Sequence, residues 1–284
     1  MGFIARAQLA SAVSNAGGMG IVETSSGRLD EVRVEMEKMR DLTDKPWGVN
    51  IAQLFVRAPG IVEFVADMGV KFVTTSAGDP HQYAESLHEA GITVFHVVGT
   101  LRGALKAVDA GVDGLIVEGV EGGGFKSLTG ASTMVLLPLI ASRVDLPLIA
   151  AGGICDAVSL AAAFVLGAEG GQMGTRMLSA LESPVHDNWK QAVLAAAETE
   201  TVLVKRGQAP SMRVLHTEAA DSIEDATDAL RKLEDLYFGG DMNASLANTG
   251  QVAGRIDEIR PVAEILHETW DGVRAALDAG VQRL

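Results

Sequence analysis

The feature that most constrains the fold is a regular alternation of short apolar runs with helical patterns. The apolar runs are rich in β-branched residues, and Ala- and Leu-rich segments follow them. Several of these segments end in a glycine of the kind that closes a helix in the left-handed conformation, at Gly69, Gly91, Gly111 and Gly167. Strands that alternate with helices at this spacing predict parallel βαβ units whose strands are buried on both faces.

The number of strands defines the expected architecture. Strands are predicted at residues 20–23, 47–51, 72–76, 93–98, 114–119, 147–153 and 170–175. They favour an α/β fold of the TIM (β/α)8 barrel type, which has eight parallel strands. A helix pattern that ends at Gly17 precedes them, although a helix in such a series normally follows a strand. We therefore expect the chain to lack the first barrel strand, which would lie just upstream of Met1, and the sheet to have two open edges. A barrel closed by seven strands, or by a segment of a partner, is the alternative.

The alternation stops after about residue 200. We interpret residues 1–204 as the barrel and residues 205–249 as a small helical addition, with an amphipathic helix over residues 222–240. Residues 250–284 are predicted to form C-terminal helices that pack on the barrel. The sequence therefore predicts one main domain with a small insertion.

Composition limits the class of protein and its partners. Apolar residues make up 48 % of the 284 residues and aromatic residues only 5 %, which favours helix-on-sheet packing. The formal net charge of −14 disfavours a nucleic-acid or anionic-membrane partner. Cys155 is the only cysteine, so an internal disulfide is excluded, and we find no signal peptide or membrane-spanning run. These features predict a cytoplasmic protein that acts on a small molecule, with homodimerisation left open.

The predicted strand ends, where barrels carry their chemistry, hold few ionisable side chains. Glycines, amides and small residues dominate, which favours a site where a bound cofactor supplies the reactivity. Two neighbouring strand ends, at Gly152 and Gly153 and at Gly174 and Thr175, can direct backbone N–H groups at a phosphate. The alternative is that these glycines only form tight turns.

Seven segments of the chain occur in an order typical of one family. They are "SNAGGMGIV" (14–22), "WGVNI" (47–51), "EGVEGGG" (118–124), "LPLIAAGGI" (146–154), "GAEGGQMGTRM" (167–177), "ESPVHDNWK" (182–190) and "GQVAG" (250–254). The chain thereby resembles the nitronate monooxygenase (2-nitropropane dioxygenase-like) family of FMN-dependent barrel oxidoreductases. The resemblance implies FMN contacts from Met1, Asn50, Gly152, Gly153, Gln172, Gly174 and Thr175, to which we add Glu118 and Gly123 of the loop that approaches the flavin.

One position departs from the family pattern. In the nitronate oxidases the triple-glycine segment ends in a histidine, the expected catalytic base, whereas this chain has Phe125 there. The departure disfavours nitronate oxidation and favours hydride transfer, for which Phe125 could stack on a nicotinamide or a quinone. His96 is the nearest replacement base, unless it is a buried structural residue. Lys126 could attract a substrate carboxylate, thioester phosphates or a dinucleotide phosphate, or it could be a solvated loop residue.

Other polar residues have two interpretations each. Glu118 and Glu121 flank the glycine loop, where they either shape it or take part in acid–base work, and we recognise no metal-ligand set. His186 is expected to be structural, and Cys155 to be a small buried residue.

The predicted activity is FMN-dependent oxidation of a nitronate or of NAD(P)H, with oxygen or an organic acceptor as the oxidant. An NAD(P)H:quinone reductase, an enoyl-thioester reductase and a degenerate flavin-binding relative without catalysis are the alternatives. A barrel aldolase or isomerase would need a catalytic Lys or Glu at a strand end, and the sequence offers no persuasive one.

Overall fold

A parallel sheet forms the centre of the computed structural model, which describes residues 1–56, 60–127, 129–205, 211–222 and 232–284. Its strands are β1 (Gly20–Glu23), β2 (Trp47–Ala52), β3 (Phe72–Ser76), β4 (Thr93–Val98), β5 (Gly114–Glu118), β7 (Leu148–Ala151) and β8 (Gly170–Gln172). Each strand pairs in parallel with the next, in the order β1-β2-β3-β4-β5-β7-β8. This curved sheet with alternating helices confirms the predicted TIM-barrel type and all seven predicted strands.

Helices connect these strands along the chain. They are α1 (Ala7–Asn15), α2 (Leu29–Leu42), α3 (Ile61–Asp67), α4 (Ala84–Glu89), α5 (Leu101–Asp109), α6 (Thr133–Ala141) and α7 (Ala157–Val165). The predicted glycine caps have positive φ, at 74° for Gly69, 67° for Gly91, 76° for Gly111 and 102° for Gly167. The backbone therefore needs glycine at these four helix ends.

The strands β1 and β8 are the two edges of the sheet, and in the described part of the chain neither pairs with a further strand. The N-terminal segment meets one edge, because the backbone N–H of Glu23 donates to the carbonyl of Ala5 at 2.8 Å. The described strands thus do not close on one another. The strand expected upstream of Met1 stays a prediction.

The two faces of the sheet have different neighbours. Val49, Val73, Val94 and other outward-facing residues are fully or almost fully buried against the helices in one large core. Burial of each such side chain contributes about 1.5–3 kcal/mol. On the inner face, the rings of Phe72 and Phe95 lie 5.2 Å apart and fill the space beneath the strand ends. This packing leaves the carboxyl ends of the strands as the place for a site.

A second, three-stranded antiparallel sheet lies beside the barrel mouth. It contains β6 (Gly124–Lys126), β9 (Thr201–Val204) and β10 (Ser211–Leu215), with β10 in the middle. The segment predicted as a small helical addition is therefore not helical throughout. Its described helices are α10 (Glu218–Ser222) and α11 (Leu233–Tyr237), and residues 223–231 of the predicted 222–240 helix lie outside the described residues. The predicted domain boundaries stay a prediction.

The remaining helices pack against the barrel. They are α8 (Thr175–Leu178), α9 (Asp187–Ala195), a 3-10 turn (Gln251–Arg255) and α12 (Val262–Val281), which packs on α7 and α1. Trp189 of α9 is fully buried, and its indole N–H donates to Thr249 Oγ1 at 3.1 Å. Across the ranges that the structure describes, we find no helix with the length and apolar character needed to cross a membrane.

Candidate active site

The triple-glycine loop after β5 has a separate physical reason for each of its glycines. A Cβ at Gly122 would lie 2.5 Å from Glu118 Oε1 and 2.8 Å from Lys126 Nζ. A Cβ at Gly123 would lie 2.8 Å from the backbone nitrogen of Gly250, and Gly124 has a φ of 76°. The loop therefore packs between an ion pair and the 249–251 segment, and other residues would displace it.

The ion pair above this loop is formed by Lys126 and Glu118. Lys126 Nζ donates to Glu118 Oε1 at 2.5 Å, and the Lys126 side chain is only 3 % exposed while that of Glu118 is 27 % exposed. Glu118 ends strand β5, and Lys126 ends β6, so the loop reversal brings the two together. The structure thus shows Lys126 as a shielded cation and not as a solvated loop residue.

Phe125, at the position of the family's histidine, lies against another aromatic side chain. The Phe125 and Phe55 rings are 5.4 Å apart with their planes inclined by 53°. Phe125 also packs against the apolar cluster of Val204, Met212, Val214 and Leu246. The two rings form an apolar contact, and position 125 itself has no group that can carry a proton.

The ends of β7 and β8 form an open cradle of backbone. Gly152 and Gly153 have φ values of 80° and 87°. Within the described residues, no hydrogen bond uses the N–H groups of Gly152, Gly153 or Gly174. A Cβ at Gly174 would have nothing within 4 Å, and one at Gly153 would meet only Thr133 Oγ1 at 4.0 Å. Free amide donors around open space can bind an anion such as a phosphate.

Three hydrogen bonds hold this cradle in place. Thr133 Oγ1 donates to the carbonyl of Gly152 at 2.7 Å. The backbone N–H of Gly250 donates to Thr175 Oγ1 at 2.9 Å, and that of Gln251 donates to the carbonyl of Glu121 at 2.9 Å. Thr175 is buried, so its hydroxyl links β8 to the glycine loop through the 250–251 segment.

The two predicted amides differ in their surroundings. Asn50 Nδ2 donates to Thr74 Oγ1 at 2.8 Å, and Ser76 Oγ donates to Asn50 Oδ1 at 3.3 Å. This network fixes the Asn50 amide on the inner face of the sheet. Gln172 is exposed at the end of β8, and Met1 is 41 % exposed, so both have side chains free to contact a ligand.

His96 lies apart from these residues. Strand residues alternate between faces, and His96 shares its face with Val94 and Val98, which pack against the helices. Its Nδ1 is 2.6 Å from Thr75 Oγ1, and burial lowers its pKa to about 4. The position of His96 gives no support to its predicted role as a replacement base, which stays untested.

Because burial keeps His96 neutral, His96→Gln is expected to flatten the acid side of the stability profile. In the unfolded chain the imidazole takes up a proton near pH 6.5, whereas in the folded protein it does so near pH 4. The folded protein therefore loses stability as the pH falls from 6.5 to 4, by roughly 2–3 kcal/mol at pH 4.5. Urea unfolding at pH 7 and pH 4.5 measures this loss, and an equal loss in His96→Gln would contradict the assignment.

The remaining candidates have structural roles. Glu121 accepts from the backbone N–H of Thr133 at 3.0 Å and so caps α6. His186 Nδ1 accepts from the backbone N–H of Asn188 at 3.1 Å at the start of α9. Burial raises the pKa of the Cys155 thiol to about 11, which keeps it protonated.

Sequence reasoning missed two contributors to the site. Arg213 of β10 donates through Nε to the carbonyl of Val120 at 2.6 Å, and Thr133 binds the Gly152 carbonyl. No local signal marks either residue, because both act over distances of many residues along the chain. The "GQVAG" segment marked residues 250–254 as part of the family pattern, but it did not predict that Gly250 packs against Gly123.

Comparison with known proteins finds related sequences over most of the chain. A profile described as "Nitronate monooxygenase" matches residues 1–59 and 53–271. A (3aS,4S,5R,7aS)-5-hydroxy-7a-methyl-1-oxo-octahydro-1H-indene-4-carboxyl-CoA dehydrogenase from Mycobacterium tuberculosis is 39 % identical over 233 residues, which cover 81 % of this chain and 65 % of that protein. The dehydrogenase of the same name from Rhodococcus jostii is 36 % identical, over 79 % of this chain and 63 % of that protein. The chain thus spans just under two thirds of the length of these relatives.

Solved structures agree with the fold. FabK from Thermotoga maritima is 34 % identical, with a TM-score of 0.93 over 100 % of this chain and 94 % of that chain. A nitroalkane oxidase from Streptomyces ansochromogenes has a TM-score of 0.83 at 24 % identity, over 98 % of this chain and 95 % of that chain, and supports the fold alone.

Proposed function

Because the chain belongs to the nitronate monooxygenase family, we propose that it is an FMN-dependent oxidoreductase that acts on an acyl thioester. Members of this family are in general flavin enzymes. The observation that carries the proposal is the shielded Lys126–Glu118 pair beside Phe125, where the nitronate oxidases are expected to have a histidine. The pair supplies a proton-carrying group, Lys126 Nζ, that differs from a histidine at position 125 in both place and chemical type.

The residues present fit FMN. The free amides of Gly152, Gly153 and Gly174 would hold the phosphate, and the space around Gly174 leaves room for it. The Asn50 and Gln172 amides and the Met1 side chain would contact the ring or the ribityl chain. When bound, FMN accepts or donates a hydride, which is chemistry that no amino-acid side chain supplies.

The protein residues would position the substrate and move its proton. Phe55 and Phe125 provide an apolar wall for the acyl group and exclude water from one side. Lys126 Nζ would give a proton to the substrate in the reductive direction and take it back in the oxidative direction. Glu118 accepts a hydrogen bond from Lys126 Nζ at 2.5 Å and keeps the side chain aimed at the site.

The relatives favour a thioester as the substrate class. Two of them, at 39 % and 36 % identity, carry the name of a hydroxylated bicyclic carboxyl-CoA dehydrogenase. Oxidation of a hydroxyl, or reduction of a double bond, near a thioester needs a hydride acceptor or donor and a proton carrier. FMN bound in the cradle would supply the first, and Lys126 would supply the second. NADH or NADPH is the expected partner for the opposite half-reaction, with a quinone or oxygen as the alternative acceptor.

Nitronate oxidation is the second candidate, because the family profile matches most of the chain. A nitronate is already an anion, so Phe125 need not abolish its oxidation. The Lys126 cation could also attract that anion.

Anaerobic flavin reduction separates the candidates. The chain is loaded with FMN and mixed, in separate samples, with a 3-hydroxyacyl-CoA, with NADH or NADPH, or with ethyl nitronate. The visible absorbance of the flavin is followed in each sample. Bleaching by the nicotinamide or the thioester supports the proposal. Bleaching by ethyl nitronate alone would replace it with the second candidate, and no bleaching by any of them would overturn both.

A further inference from the structure

Arg213 is a buried cation that reaches the loop carrying the proposed proton donor. Its Nε donates to the carbonyl of Val120 at 2.6 Å. Its Nη1 donates to the carbonyl and to Oγ1 of Thr201, at 3.3 and 3.1 Å. Arg213 is only 7 % exposed, so its guanidinium links the small sheet to the barrel mouth from a fixed position.

The charge of Arg213 is met by hydrogen bonds and, within the part of the chain that the structure describes, by no ion pair. Among the described residues, no carboxylate lies within salt-bridge distance of it, and burial lowers the pKa of the guanidinium although Glu121 opposes the shift. A buried charge without a carboxylate nearby is unfavourable, and an apolar side chain would avoid this cost. An apolar side chain would therefore be expected here if only burial mattered. Arginine differs in that its hydrogen bonds hold the carbonyl of Val120 at a fixed position.

Arg213 holds the glycine loop at two points. Its backbone pairs with Gly124 in the β10–β6 ladder, and its side chain binds the carbonyl of Val120. Between these points lie Glu121 to Gly123, and just outside them lie Glu118 and Lys126, the two members of the ion pair. One residue thus fixes both arms of the turn that brings Lys126 Nζ to Glu118.

We propose that Arg213 is a positioning residue that holds the Lys126–Glu118 pair together and shielded by fixing residues 120–124. The inference rests on the proposed function only for the role that Lys126 plays; the geometry is independent of it. Loss of the Val120 contact would free the loop, separate the pair and expose Lys126 Nζ to solvent.

Competitive lysine acetylation tests this inference without a substrate. The full chain and its Arg213→Met variant are treated with trace acetic anhydride, and the rate at each lysine is read by mass spectrometry. We expect acetylation of Lys126 to rise about tenfold or more in Arg213→Met, because a hydrogen bond to a charged group is lost. Lys190 is the internal control, since it is also buried and donates to a backbone carbonyl, that of Leu181 at 3.3 Å.

A merely structural role of Arg213 would not distinguish the two lysines. General loosening would speed acetylation at both Lys126 and Lys190, and that result would overturn the inference, as would an unchanged Lys126 rate. Arg213→Lys can still donate to Val120, so its Lys126 rate should stay within about threefold of the parent. If Arg213→Met does not fold, Arg213→Gln replaces it with the same expectation.

The same experiment separates failure of this inference from failure of the proposed function. Lys106 is half exposed and serves as the fast reference. If Lys126 of the unmodified chain reacts as fast as Lys106, the shielded pair on which the proposed function depends does not exist. If Lys126 is protected and Arg213→Met leaves it so, only the role of Arg213 is wrong.

Discussion

Lys126→Met is expected to lower the turnover number by about 10²–10⁴, while FMN binding stays within a few-fold of the parent. Methionine keeps most of the side-chain volume but removes the proton carrier and the charge. The variant leaves Glu118 without its partner, yet Glu118 is partly exposed and can be hydrated, so the fold should persist. The measurement is steady-state turnover with whichever substrate bleaches the flavin, together with an FMN titration and a thermal melt.

Lys106→Met is the matched control for this prediction. Lys106 Nζ also forms an ion pair, with Asp79 Oδ2 at 2.7 Å, but this pair lies on the surface between α5 and the loop after β3. Solvent screens a surface pair of this kind, so it contributes little to stability. Turnover should therefore stay near that of the parent in Lys106→Met. Equal losses in the two variants, or none in Lys126→Met, would rule out Lys126 as the proton carrier.

Gly152→Ala is expected to weaken FMN binding about ten- to a hundredfold. Its φ of 80° disfavours any side chain, and a Cβ would lie 2.9 Å from the backbone nitrogen of Gly122 and 3.0 Å from the carbonyl of Gly119. Both neighbours are backbone, so the cradle and the glycine loop must separate to admit the methyl group. Fluorescence titration with FMN measures the change in the dissociation constant.

Gly69→Ala isolates the effect of backbone strain. Gly69 has a similar φ of 74°, but a Cβ there would have nothing within 4 Å, and it caps α3 far along the chain from the cradle. Its substitution should cost about 1 kcal/mol of folding stability and leave FMN affinity unchanged. If Gly152→Ala also binds FMN like the parent, the cradle is not the phosphate site.

The parallel sheet was predictable because its signals are local. Runs such as 72–76 and 93–98 are rich in β-branched and aromatic residues and have glycines close to both ends, so each strand can be identified from its own residues. The small sheet was not, because β6 has three residues and pairs Lys126 with Ser211, far along the chain. No window of sequence contains both partners, so the segment after residue 205 was assigned as helical.

The direction of a side chain was harder to predict than its place in a strand. β4 is apolar on both faces, with Phe95 and Val97 inside and Val94 and Val98 outside, so the pattern does not show which face His96 takes. Lys126 posed the opposite problem. A lysine in a glycine-rich loop is usually solvated, and only the reversal of the loop onto Glu118 shields it.

The resemblance to a family predicted the cradle better than the chemistry. Gly152, Gly153 and Gly174 lie together because each follows a strand of the same sheet, which the order of the strands already determines. The chemistry that we propose depends on Phe125, which departs from the family pattern, and on its neighbour Lys126. A single substitution at a site can change a reaction without changing the fold.

The most direct test of the central claim is a comparison of FMN with riboflavin in a fluorescence-quenching titration of the full chain. The two ligands share the ring and the ribityl chain and differ only in the phosphate. If the free amides of Gly152, Gly153 and Gly174 bind that phosphate, we expect one FMN per chain and riboflavin affinity lower by about a hundredfold. Equal affinity for the two ligands, or no binding of FMN, would contradict the site.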